Sequence, residues 1–484
     1  MIFSSYGFIF IFLPVVFAGY FFLNRIRYGY AAKIWLAAAS FVFYGIGSPA
    51  FFPSFLIIVI GNYIFGNFLS VLSERAAKPA PDAAAGPSPS GQSRLLFAAG
   101  ILMNVAFLGY YKYTDFFITN INVIAHQDIA LRHIILPIGI SFFTFQLIAF
   151  LVDSYRGLTR TYSILDYLLF ITFFPQLIVG PIVHHGEVVP QFEDESKARL
   201  NWDNVAAGLF LFSIGCAKKI LLADPLTTNA QLFFDTVPRL PGFAESWWFS
   251  LEYTLSYYFD LSGYADMAIG LGKMFNIDIP RNFNSPYKAR NFQDYWQRWH
   301  ITLSRFLGDY IFRGVYRRGS RYRNYYTATM LTFLVSGFWH GAGWTFVVWG
   351  LCNGLFVCAA AWMKRRNKHF PLPPAFLLTA IGVIAMRVLF VSATFTDAWH
   401  VYQGMVNFAS LRNAGLGITG YYSMGRRVMV AFFLGWALCL FAPNSGALAG
   451  KFKASWLTLL FSGMLIGLSL LSMNNGADFL YFQF

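Results

Sequence analysis

Two histidines in this chain sit where ionisable side chains are seldom found. His340 lies in SGFWHGAGW, flanked by Gly337, Gly341 and Gly343 inside an apolar stretch. His300 lies in RWHITLS, with Ser304 one helical turn on and Trp296 one turn back. An ionisable group at membrane depth is by default a functional hypothesis. A neutral imidazole in an apolar cavity is suited to take a proton from an alcohol. The chemistry this allows is acyl transfer, with an acyl donor and a hydroxyl acceptor meeting at the ring nitrogen. Glycines on both sides of His340 either admit another backbone or a substrate, or break the helix there. The competing reading for both residues is a packing histidine hydrogen-bonded across a helix interface.

The other histidines carry less. His126, His133, His369 and His400 lie in or beside loops, where solvated or interfacial roles are expected. His184 and His185 are adjacent, so on a helix they point about 100° apart and hold no metal jointly. A surface position is expected for them, and no metal site is predicted. Three acids, Glu252, Asp260 and Asp266, interrupt the apolar run SLEYTLSYYFDLSGYADMAIGLG and need partners whose identity spacing does not reveal.

Positioning these residues falls to a chain of unusual composition. Of 484 residues, 57% are hydrophobic, 20% aromatic and only 12% charged. Soluble domains carry about 25% charged residues. With a mean hydropathy of +0.51, an ordinary soluble enzyme and a disordered chain are both excluded. The composition predicts an all-α polytopic membrane protein. Counting apolar stretches against a span of about 20 residues gives about eleven to thirteen hydrophobic helices, some half-spanning or re-entrant. The runs LPIGISFF (136–143) and FFPQLIVGPIV (173–183) each carry Pro and Gly and are the candidates for incomplete spans. Residues 76–92 are expected to form a flexible Ala/Pro/Ser loop on the cytoplasmic side. The N-terminal apolar run has no basic residue before it and reads as a retained first span. The four cysteines lie in apolar runs without a CxxC, which disfavours a disulfide scaffold or a zinc site.

The net charge of +14 is local. Ten basic and two acidic side chains lie between Arg281 and Arg323, and Lys364-Arg365-Arg366-Asn367-Lys368 adds a second cluster. The second cluster reads as a positive-inside anchor. The first, residues 281–323, is expected as a basic amphipathic segment on the cytoplasmic face, because Tyr287, Phe292, Tyr295, Trp296 and Trp299 suit rings at headgroup level. It would hold either an anionic ligand such as a pyrophosphate or anionic membrane lipid. A nucleic-acid partner is not expected, since no aqueous domain is long enough. There is no P-loop, no HExxH and no GxSxG elbow, so ATP-driven transport, a zinc peptidase and a serine hydrolase all lack support.

The stretches LPIGISFFTFQ (136–146), YYFDLSGYADMAIGLG (257–272), FNSPYKARNFQDYWQRWHITLSRFLGDYIF (283–312) and GFWHGAGWTFVVWG (337–350) resemble the membrane-bound O-acyltransferase superfamily. Within it the likeness is to the bacterial alginate O-acetyltransferase branch, and it runs from the opening IFSSYGFIFIFLP to the final DFLYFQF. The resemblance implies one membrane domain over residues 1–484, built around a transmembrane tunnel. It implies His340 as the catalytic histidine and His300 as the second family histidine near the cytosolic mouth. It implies no permanently bound cofactor, with acetyl-CoA or another acyl thioester as donor substrate. Arg298, Arg305, Lys288 and Arg290 are the candidates to hold its pyrophosphate. Further implications are a multi-pass protein of the bacterial inner membrane, a periplasmic SGNH-type acetyltransferase partner and an exopolysaccharide or cell-wall polymer as final acceptor. A D-alanyl or longer-chain acyl transferase of the same superfamily is the nearest alternative; a polysaccharide or ion transporter is the alternative from another class.

Overall fold

The computed structural model describes residues 2–77, 90–237, 240–316, 322–368, 370–413 and 425–473. Most of the 76–92 loop, His369, Arg317, Arg318, Arg321 and the DFLYFQF ending lie outside the described residues. Among the described residues every regular element is helical. Seven helices are long and apolar enough to cross a membrane: α1 Phe8–Arg25, α2 Gly29–Gly47, α3 Pro49–Ala76, α4 Gly91–Ala125, α8 Trp202–Asp235, α13 Trp344–Arg365 and α14 Leu372–Val391. Between them stand α5 Ile140–Tyr155, α6 Ile164–Thr172, α7 His185–Glu193, α9 Phe243–Met274, α10 Phe292–Arg298, α11 Ile301–Leu307 and α12 Tyr322–His340. Beyond α14 come α15 Phe395–Met405, α16 Arg426–Phe441 and α17 Trp456–Ser472. Large apolar side chains such as Ile57, Leu95, Phe441 and Leu471 are exposed on these helices. Lipid, not water, is the solvent that tolerates such a surface.

The chain divides into two compact units. The first comprises residues 1–209 and 268–280, the second residues 210–267 and 281–484.

In the first unit the apolar stretch at 163–183 does not make one span. α6 ends at Thr172 with Phe173 as its cap, a four-residue turn Phe174–Leu177 follows, and the backbone is non-helical from there through Val183. Pro175 and Pro181 offer no amide proton to a continuing helix. The whole segment is nonetheless buried, which irregular backbone at membrane depth requires. His185, expected at the surface, is also buried. Its Nδ1 lies 2.8 Å from the Tyr162 hydroxyl and its Nε2 3.3 Å from the Asp153 carboxylate. Sequence adjacency hid this, because the partners come from elsewhere in the chain.

In the second unit the acids of α9 find their partners. Asp260 pairs with Lys219 at 2.7 Å, Lys219 also pairs with Asp224 at 2.8 Å, and Asp266 pairs with Lys218 at 2.6 Å. Glu252 accepts from the Trp248 indole at 3.1 Å and lies 3.3 Å from the Asn229 amide. Two consecutive lysines reach the same helix because α8 widens into a π turn at Lys218–Ala223. Close contact of α8 with α9 depends on glycine: a Cβ on Gly215 would lie 2.6 Å from the Gly263 carbonyl oxygen. Gly215→Ala is therefore expected to cost about 1–3 kcal/mol. Thermal unfolding in detergent should show the loss, whereas Gly463→Ala, with open space around its Cβ, should leave the midpoint within a degree or so.

Candidate functional site

α12 ends on His340, and its path is set by glycine. A Cβ on Gly337 would lie 2.4 Å from the Phe346 carbonyl oxygen, and one on Gly350 would lie 2.4 Å from the Phe333 carbonyl oxygen. The backbones of α12 and α13 therefore touch, which explains Gly337 in the GFWHG stretch: it serves backbone approach. Gly341 has a different neighbour, since a Cβ there would run into the Phe346 ring. The result is a His340 side chain that is 3% exposed. Its ring meets the edges of Trp349 at 5.0 Å and Phe390 at 5.4 Å, with Trp339 at 4.8 Å. A dry aromatic wall on this scale holds the imidazole in one orientation and keeps bulk water from it.

His300 arrives from the other direction. It caps α11 in the left-handed region, φ 46° and ψ 53°, which is uncommon for a residue with a Cβ. Such a conformation costs about 1 kcal/mol or more and persists only where the surroundings impose it. Asn282 imposes it. Its side-chain oxygen accepts from the Thr302 amide at 3.2 Å and the Thr302 hydroxyl at 3.0 Å, and its backbone oxygen accepts from the Ile301 amide at 2.8 Å. The same side-chain oxygen lies 3.2 Å from His300 Nδ1. An amide oxygen only accepts, so this contact places the ring proton on Nδ1 and, in the neutral ring, the lone pair on Nε2. Burial pulls the His300 pKa from its ordinary value near 6.5 down to about 3, so the ring is neutral.

One indole joins the two histidines. The Trp339 ring lies 6.2 Å from the His300 ring and 4.8 Å from that of His340. Beside them a cavity of about 310 Å³ opens among Trp296, Gln297, Ser304, Thr332, Phe333 and Ser336. Ser304 is one turn beyond His300 and Ser336 one turn before His340. The cavity therefore lies within one helical turn of each histidine, with the hydroxyls of Ser304, Thr332 and Ser336 and the Gln297 amide in its lining.

The aromatics of residues 287–299 correct an expectation. Phe292, Tyr295 and Trp299 are buried within the protein rather than aligned at a headgroup layer. Phe292 stacks on Phe356 at 4.4 Å, and Trp299 stacks on Tyr257 at 5.8 Å and on Tyr295 at 5.7 Å. Their spacing of three, four and seven residues turns them to one side of the segment, where protein surfaces cover them. The four basic candidates have the following partners. Lys288 donates to the Ala442 carbonyl at 2.8 Å. Arg298 pairs with Asp294 at 2.6 Å, and the Arg290 amide donates to the same carboxylate at 3.0 Å. Arg305 stands on α11, one turn from Ile301.

Arg387 lies 5.0 Å from the centre of the Trp299 ring and 5.3 Å from that of Phe390, and like Asn282 it carries no flag in the sequence. Asn282 is far from any motif centre, and Arg387 is a lone cation in LLTAIGVIAMRVLFV, a run that reads simply as a span.

Asn282→Ala should cost about 2 kcal/mol, because it leaves buried donors of Thr302 and His300 without their acceptor. A lower unfolding temperature together with reduced activity is the expected result. Stability should also fall as pH drops from 6.5 towards 3, because the unfolded His300 takes up a proton that the folded ring refuses. His300→Gln should flatten that part of the thermal-unfolding profile.

Residues 97–395 match the description "MBOAT, membrane-bound O-acyltransferase family". A peptidoglycan O-acetyltransferase of Helicobacter pylori is 41% identical over 438 residues, covering 84% of this chain and 80% of that protein. A probable alginate O-acetylase AlgI of Pseudomonas aeruginosa is 34% identical over 417 residues, 85% of this chain and 76% of its own length. A teichoic acid D-alanyltransferase of Bacillus subtilis is 28% identical over 270 residues, 52% of this chain and 66% of that protein. With more than half its length inside the family match and its two WH stretches gathered around one indole, the chain belongs to the membrane-bound O-acyltransferase family and is an acyltransferase.

Proposed function

We propose that the protein is an O-acetyltransferase that takes an acetyl group from a thioester donor and delivers it for acetylation of a cell-wall or extracellular polysaccharide. The observation that carries this reading is the placement of His340 and His300 on either side of Trp339, with the cavity lined by Ser304 and Ser336 one helical turn from each. A thioester is already activated, so the protein's tasks are to align the donor and to deprotonate the acceptor. The acceptor oxygen attacks the thioester carbonyl, a C–O bond forms and the C–S bond breaks. The hydroxyl proton passes to His340 and then to the departing thiolate. His300, neutral through burial and held by Asn282 with its lone pair on Nε2, orients the substrate. The part-polar cavity, with Gln297, Ser304, Thr332 and Ser336 in its lining, suits an arm with amide groups, such as the one that carries a thioester in coenzyme A.

Identity to the peptidoglycan enzyme is higher than to the alginate one, which favours a cell-wall glycan as the final acceptor. Transfer through the bacterial inner membrane to a periplasmic SGNH-type partner completes this reading. Lys288, Arg290, Arg298 and Arg305 remain the candidates to hold the donor's pyrophosphate. A D-alanyl donor is the second reading, favoured by the match to the teichoic acid enzyme over half the chain.

His340→Ala should reduce acetyl release from purified polymer by at least about a hundred-fold while leaving the protein in the membrane at wild-type level. Near-normal acetylation in that variant would refute the assignment. Offering labelled acetyl and D-alanyl thioesters to membranes carrying the protein separates the two donors.

A further inference from the structure

Arg387 stands on α14, a membrane-crossing helix, and is only 6% exposed. A cation in such a place is expensive unless it is paired or used. Its surroundings are aromatic. The guanidinium carbon lies 4.2 Å from the centre of the Tyr257 ring, 5.0 Å from that of Trp299 and 5.3 Å from that of Phe390. Tyrosines 295, 257, 287 and 253 lie around it, and among the described residues no carboxylate forms an ion pair with it. Its Nε donor is buried without an acceptor. Ring faces offset part of the cost of desolvation, but they leave the net charge intact.

Two of these rings lead directly to the histidines. Phe390 meets the His340 ring at 5.4 Å, and Trp299 is covalently next to His300. A neutral side chain of similar volume would clamp the same rings without the desolvation cost, so clamping alone does not account for a cation here.

We propose that Arg387 is a positioning residue for acyl transfer: it holds Phe390 and Trp299 against the two histidines and fixes a positive charge one ring away from His340. The inference rests on the acyl-transfer reading above. In that reaction negative charge gathers on the carbonyl oxygen as the acceptor attacks, and it must do so where water is scarce. A fixed cation at second-neighbour distance stabilises this charge without any reorganisation at the moment of reaction. At an effective dielectric constant near 20, a charge about 10 Å away is worth about ten-fold in rate.

The test uses full-length protein in membrane vesicles, with labelled acetyl-coenzyme A as the donor and rates normalised to protein recovered as a monodisperse peak. His340→Ala is the reference for the parent reading: if it matches wild type, that reading fails, whatever Arg387 does. With His340→Ala inactive, Arg387→Gln should lose at least about ten-fold in maximal rate while half-saturation by donor stays within about two-fold. A smaller loss overturns the inference. In Arg387→Ala, added ethylguanidinium should restore activity and the neutral ethylurea should not. Equal rescue by both would reduce the residue to a space-filler and also overturn it. Should Arg387→Gln fail to fold, the Arg387→Ala rescue decides: ethylguanidinium should restore activity well beyond ethylurea, and absent or equal rescue in protein recovered as a monodisperse peak refutes the proposal.

Discussion

Polar groups that leave water for an apolar surround must find their partners inside the protein, and this requirement organises the molecule. In the first unit it explains why the backbone through 173–183 is irregular yet wholly buried, and why His185 is held between Tyr162 and Asp153. In the second it explains why the acids of α9 lie opposite Lys218 and Lys219 of α8. Breaking such a pair costs more than the pair contributes, because the surviving charge is stranded. Each pair therefore fixes the register of two helices as firmly as apolar packing does.

Glycine supplies the complementary constraint. Backbones of α12 and α13 approach through Gly337 and Gly350, closely enough that no Cβ fits. That contact seats His340 against Trp349, and through Phe390 it reaches Arg387. His300 is placed by an unrelated device, a strained turn tied to one asparagine. The site thus joins a rigid helix end to a locked loop, and Trp339 bridges them. Side chains so held keep the same geometry when donor and acceptor arrive, which is what catalysis by alignment demands.

Much of this was legible beforehand, and the reasons are local. The membrane class follows from composition, because apolar surface in such excess has no aqueous solution. His340 and His300 announce themselves because each WH stretch places an ionisable ring among apolar neighbours. The partners of Glu252, Asp260 and Asp266 were not legible. They depend on a π turn in α8, and nothing in KKILLA distinguishes a π turn from an ordinary one. Asn282 was hidden for a similar reason, since its value comes from three contacts made after the chain has folded back. The burial of the aromatics near Trp299 is not legible either, because rings at an interface and rings in a core share one spacing. Only the covering surface differs, and Tyr257, Phe356 and Arg387 supply it from distant positions.

The π turn has one more consequence, for how such a helix can vary. A residue inserted into an α-helix rotates all that follows by about 100°. At Lys218–Ala223 the extra residue is already absorbed, so Leu226 and Phe233 keep their buried faces after it. Losing a single residue there would swing the second half of α8 around its axis, turning buried leucines and phenylalanines towards lipid and the polar side chains at 229 and 231 to new neighbours. A change that restored ideal helical geometry would therefore damage the protein more than most substitutions. Length, at this one point, is as tightly specified as chemistry.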